Sequence, residues 1–203
     1  MRHPNIVKLL ALYTYDNNKH NLIFPLAKGR TLYELFNGDP EIRTFNSSSA
    51  FFKAIAGLSS AIEQVRDFTE NWIDLNLIGC HYDLRPQNIL VSGDSLVLAD
   101  FGFSRFRDAT DDSATRFEKG ARDYRAPECE DINDLHFQKH LIRRSSDIWS
   151  FGCVLAELIT YMIRGSLVCV SLRHLDASRK EKGNTFFSIA APTGQTNLFM
   201  NGC

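Results

Sequence analysis

The segment His81-Tyr82-Asp83-Leu84-Arg85-Pro86-Gln87-Asn88 is followed, twelve residues after Asn88, by Asp100-Phe101-Gly102. Between them, Ile89-Leu90-Val91 and Leu96-Val97-Leu98 form two short apolar runs joined by Ser92-Gly93-Asp94-Ser95. Apolar runs of this length around a turn rich in Gly and Asp predict a β-hairpin. Such a hairpin holds Asn88 at its entry and Asp100 just past its exit, which brings two oxygen-bearing side chains together. A hairpin that only filled a core would not explain why an amide and a carboxylate bracket it.

The residue types define a chemistry. ATP-dependent phosphoryl transfer asks for a carboxylate to orient a hydroxyl, a cation near the transferring phosphate and oxygen ligands for Mg²⁺. Asp83, Arg85, Asn88 and Asp100 supply these in order. HxD or DFG alone is weak, but both together at this spacing resemble the catalytic loop and metal-binding triplet of eukaryotic-type protein kinases. The resemblance implies that Asp83 accepts or orients the substrate hydroxyl proton, that Asn88 and Asp100 bind Mg²⁺, and that Arg85, where Ser/Thr kinases usually carry Lys, touches the γ-phosphate. Tyr82 stands where the family usually has Arg.

Other segments extend the resemblance. Gly120 to Glu128 ends in Ala126-Pro127-Glu128, like the close of a kinase activation segment, which would run from Asp100 and include Thr110, Ser113 and Thr115. Ser145-Ser146-Asp147-Ile148-Trp149-Ser150-Phe151-Gly152 opens an apolar helix, with Ile148, Phe151, Val154-Leu155 and Leu158-Ile159 at helical spacing. Asp147 near its start can cap free N–H groups; by resemblance it braces the catalytic loop. Phe51, Ile55, Leu58, Ile62 and Val65 share a helical face after N-cap candidates in Ser47-Ser48-Ser49. Leu77-Ile78 reads as a short strand, and residues 69–76 as a connection longer than the fold requires.

Ile6 to Tyr13 and Leu22-Ile23-Phe24 read as strands around a turn at Asp16-Asn17-Asn18-Lys19. Phe24-Pro25-Leu26-Ala27-Lys28-Gly29 then falls at the family's adenine-holding hinge. By resemblance Phe24 is the gatekeeper, the Pro25 carbonyl an acceptor, the Ala27 backbone the hinge donor and Leu90 the floor of the adenine pocket. Plain core packing accounts equally well for Phe24 and Leu90.

The resemblance covers roughly residues 2–165. It implies an α+β, protein-kinase-like fold that is mostly the helical C-terminal lobe with an incomplete N-terminal β-lobe. The expected division is an N-lobe remnant at 1–27, a C-lobe at 28–165 and an irregular tail at 166–203. No GxGxxG loop, Val-Ala-Ile-Lys strand or Glu-bearing helix before it is found, so a truncated domain is the simplest account, with weak ATP binding and little turnover for this chain alone. Ala121 replaces the usual Thr or Ser, and no Arg partner for Glu128 stands out in the tail.

The 203 residues suffice for one domain, and 44% hydrophobic with 23% charged residues is ordinary for a globular protein. A net charge of -1 gives no pull toward nucleic acid. Cys80, Cys129, Cys153, Cys169 and Cys203 form no CxxC pair, which argues against a zinc site and suits a reducing, intracellular compartment, cytoplasmic or nuclear. The most apolar stretch, Ile148 to Ile163, reads as too short to span a bilayer and contains Glu157. The expected partners are ATP, Mg²⁺ and a protein substrate carrying a Ser or Thr hydroxyl. Two other functions stay open: a pseudokinase-like binding module, and a small-molecule phosphotransferase, against which Ala126-Pro127-Glu128 and the Asp147 segment argue.

Overall fold

A computed structural model describes residues 2–16, 19–25, 30–39, 45–70, 74–108, 115–116, 124–126, 141–142 and 145–167. The elements are β1 (Ala11–Tyr15), β2 (Lys19–Ile23), α1 (Leu32–Phe36), α2 (Ser48–Arg66), β3 (Asp67–Glu70), β4 (Leu75–Cys80), β5 (Ile89–Ser92), β6 (Ser95–Leu98), β7 (Arg105–Asp108), β8 (Thr115–Arg116), β9 (Leu141–Ile142) and α3 (Ser145–Arg164). All the strand pairs are antiparallel: β1 with β2, β3 with β4, β4 with β7, β5 with β6 and β8 with β9.

Helix α2 organises the core. Ser47 is its N-cap, its side chain accepting from Ala50 N–H, and this satisfies one donor that helical geometry leaves open. Phe51, Ala54, Leu58, Ala61, Ile62 and Val65 then fall on one buried stripe. They meet Ile89, Val91, Leu96 and Leu98 from the β5–β6 hairpin, Leu32, Leu35 and Phe36 from α1, and Cys153, Val154 and Leu158 from α3. The predicted hairpin forms in register, Ile89 opposite Leu98 and Ser92 opposite Ser95. Its turn is fixed by Gly93 at φ 57° and by Asp94, whose Oδ1 accepts from Phe45 N–H at 2.7 Å.

Several expectations are corrected. The strand expected from Ile6 begins only at Ala11, because the chain first lies along β6: Leu98 N–H donates to Asn5 O, Val7 N–H donates to Leu98 O, and Ile6 makes a single bridge to Leu98. Of the connection expected at residues 69–76, positions 69–70 belong to β3 and 75–76 to β4, which pair over Asp67–Glu70 and Leu75–Ile78, while residues 71–73 lie outside the described residues. Helix α1 was not anticipated, although Thr31 and Glu34 form a capping box whose backbone and hydroxyl bonds hold the Glu34 carboxyl below its usual range. On α3, Ile148 and Ile159 are exposed, and the buried row is Cys153, Val154 and Leu158. Helix α3 has 20 residues, so by length and composition it could cross a membrane, contrary to the shorter apolar stretch read from sequence. Only 28% of its apolar window is buried, through Cys153, Val154 and Leu158, which join the cluster that holds α2 and the hairpin. The Ala27 hinge position, Thr110, Ser113, Ala121, Glu128 and the tail from 168 lie outside the described residues.

Gly79 shows how tightly β4 is seated. A Cβ there would stand 2.2 Å from the Val65 carbonyl oxygen and 2.6 Å from the Phe106 ring. The first obstacle is backbone and cannot rotate away. Gly79→Ala should therefore lower stability by about 1–3 kcal/mol, the usual cost of overpacking, seen as a lower melting temperature.

Candidate active site

Three devices hold the loop between β4 and β5. At its start the buried carboxylate of Asp147 accepts from His81 N–H (Oδ2, 2.7 Å) and from Tyr82 N–H (Oδ1, 3.0 Å). Asp147 lies in the first turn of α3, yet both of its oxygens serve the loop and not the cap of that helix. At its end, residues 86–88 make one 3₁₀ turn with Pro86 in the first position, where the missing N–H costs nothing. In the middle, Asn88 Nδ2 donates to Asp83 O (2.8 Å) and Asp83 Oδ2 (2.7 Å).

These bonds bring together the first three predicted residues. Asp83 is 4% exposed and Asn88 5%. Arg85 Nε lies 3.3 Å from Asp83 Oδ2, at ion-pair distance without hydrogen-bond alignment. Asp100 joins through the hairpin: Ala99 N–H donates to Asn88 O at 2.9 Å, tying the residue before Asp100 to the predicted metal ligand. Asp100 itself is exposed at φ 59°, and its Oδ1 accepts from Gly102 N–H. The left-handed backbone is one that few residues other than Gly adopt, with Asp and Asn the common exceptions.

His81 locks the two halves together. Its Nε2 bonds the Ala99 carbonyl at 3.0 Å, its Nδ1 faces Asp83 N–H at 3.4 Å, and its ring meets Phe101 edge-on at 5.0 Å. A neutral ring protonated on Nε2 satisfies both nitrogens. Sequence matching placed His81 in the pattern without a role; the Ser104 hydroxyl, which donates to His81 O, carried no sequence signal at all.

Burial drives His81 below the ordinary imidazole range against the pull of Asp147, Asp83 and Asp100. Burial likewise raises Asp147, against its hydrogen bonds from His81 and Tyr82. With His81 depressed, the unfolded chain binds a proton that the folded chain does not, so stability falls as pH drops below the ordinary imidazole value. Asp147 has the opposite sign, its share of stability rising on acidification. A denaturation series across pH 5–7 should show the His81 loss in the parent and not in His81→Gln, although Asp147 titrates in both.

The predicted nucleotide contacts are less gathered. Leu90 is half-buried in β5 and bridges Thr31, and Val91 N–H donates to Arg30 O, so the hairpin floor abuts the residues just past the hinge. Phe24 is 42% exposed beyond the end of β2, which removes the core-packing account for it. Pro25 is exposed beside it.

Known proteins share this arrangement. The family described as protein kinase domain matches residues 1–166. The chain is 30% identical over 164 residues to the mitogen-activated protein kinase pmk-3 of Caenorhabditis elegans, covering 79% of this chain and 32% of that protein. It is 32% identical over 167 residues to the serine/threonine-protein kinase nekl-2 of the same organism, covering 78% and 41%. Thus it spans well under half the length of these relatives. In structure it is similar to a chain of the yeast RNA Pol II CTD kinase CTDK-1 complex, with a TM-score of 0.53 at 24% identity over 78% of this chain and 45% of that one, a likeness of fold. With the His81–Asn88 loop braced by Asp147 and the family match spanning more than four-fifths of its residues, the chain belongs to the protein kinase domain family.

Proposed function

We propose that these residues form the phosphotransfer centre of a protein kinase that acts on Ser or Thr hydroxyls of proteins. The observation that carries this reading is the buried Asp83 carboxylate, held by Asn88 Nδ2 with the Arg85 cation beside it. Asp83 is the group to orient the acceptor hydroxyl and take its proton, and Arg85 the cation for the γ-phosphate. The Leu84-Arg85-Pro86-Gln87-Asn88 run and the nekl-2 relative favour Ser/Thr over Tyr.

The donor set suits Mg²⁺ with ATP. Both Asn88 Nδ2 hydrogens are engaged with Asp83, which leaves Oδ1 as the amide's oxygen donor, and Asp100 adds a carboxylate. No cluster of three or more His, Cys, Asp or Glu occurs among the described residues. Two hard oxygen ligands, with phosphate oxygens and water completing the shell, is the manner in which Mg²⁺ is held. When bound, the ion neutralises phosphate charge; Asn88 and Asp100 hold it, and Phe24, Pro25, Ala27 and Leu90 are assigned to the adenine. Cys80 and Cys153 are buried cysteines, which suits a reducing, intracellular setting.

No part of the sequence matches the family's Gly-rich loop or strand Lys, so these 203 residues alone should bind ATP weakly. Tyr82, standing where the family usually has Arg, favours a second reading, a kinase-fold binding module without phosphotransfer. A melting series with millimolar Mg-ATP separates the two. A stabilisation present in the parent and missing in Asp100→Asn, together with labelled phosphate on a Ser/Thr peptide, supports the kinase. No shift in the parent favours the module.

A further inference from the structure

The proposed reaction makes no use of the ring at Tyr82, although its surroundings are specific. Its backbone lies at φ 63°, a region that non-glycine residues occupy only when their neighbours hold them there. One restraint is the bond from its N–H to Asp147. A further contact is apolar: the half-buried Tyr82 side chain and Trp149 of α3 both pack against Ala126, which is 1% exposed. Ala126 is in turn fixed to α3. Ser150 Oγ donates to the Tyr124 carbonyl at 2.7 Å, and the Tyr124 hydroxyl donates to Glu157 at 3.0 Å. The loop that carries Asp83 therefore touches residues 124–126 through a ring, with the next residue in the chain being Asp83 itself.

We infer that Tyr82 is a positioning residue, its ring fastening the Asp83 loop to residues 124–126 by an apolar contact that needs no charged partner. The role given to Asp83 rests on the kinase reading; the fastening does not.

The test is amide hydrogen exchange on the full chain. In Tyr82→Ala, exchange at position 81, bonded to Asp147, and at position 83, facing the His81 ring, should quicken about tenfold, while Val91, bonded to Arg30, stays at the parental rate. Tyr82→Phe keeps the ring and should behave as the parent. Tyr82→Asn is at ease in the left-handed backbone and removes only the ring, so it serves where the alanine variant does not fold. In phosphotransfer assays the ring-deleted variants should lose kcat about tenfold with KM for ATP unchanged. Parental exchange at 81 and 83 without the ring, equal acceleration at Val91, or a Phe variant as fast as Ala each overturns the inference. The expected exchange pattern in a parent that transfers no phosphate would sink the kinase reading and leave the fastening standing.

Discussion

Replacing Asp83 with asparagine should lower kcat for transfer to a Ser/Thr peptide by about 10²–10⁴-fold, the usual contribution of a positioned general base. The variant is well matched to its surroundings. The asparagine oxygen can still accept from Asn88 Nδ2, the bond that now runs to Asp83 Oδ2 at 2.7 Å, so the loop keeps its shape. What disappears is the negative charge, and with it the basic oxygen aimed at the acceptor hydroxyl and the counter-charge for Arg85 at 3.3 Å. Because the nucleotide is assigned to Asn88, Asp100 and the hinge side, KM for ATP should stay near the parental value. A drop in kcat with unchanged KM is the signature of an interaction made in the transition state. A variant that keeps full kcat would remove Asp83 from the chemistry.

The largest effect on stability is expected at Asp147. In Asp147→Ala two backbone N–H groups, those of His81 and Tyr82, lose a charged acceptor at 2.7 and 3.0 Å. Hydrogen bonds to charged groups contribute about 1.5–3 kcal/mol each. Part of that gain is already offset, since burial raises the Asp147 carboxyl and its ionised form bears a desolvation cost that alanine escapes. A net loss of about 2–4 kcal/mol is expected, read as a melting temperature lower by about 5–15 °C for a domain of this size. Asp147→Asn should fall between parent and alanine. It retains one oxygen but turns an N–H₂ donor toward a backbone donor. Melting curves that coincide for all three proteins would show that the loop is braced elsewhere.

The contrast between Asp83 and Asp147 shows where local pattern suffices. The hairpin Ile89–Leu98 was legible because its alternation and turn residues lie within ten positions, and antiparallel pairing follows from them alone. The α2 stripe was legible for the same reason, since a 3.6-residue period expresses itself without distant partners. The residues proposed for the chemistry were named from spacing and residue type. The pairing of β3 with β4, by contrast, lies in a sheet completed on the far side of β4 by β7, a strand remote in the chain. Phe24 is apolar by sequence and exposed in space, because exposure depends on what lies opposite.

By itself, the sequence determined the kinase-like loop and the hairpin beneath it and named the groups proposed to bind metal and orient a hydroxyl, since those depend on short-range order and on side-chain chemistry. Tertiary structure alone decided that His81 stays neutral between Ala99 and Asp83 and that the Tyr82 ring rests on Ala126. Each is set by burial and by a partner remote in the chain, and neither can be read from neighbouring residues.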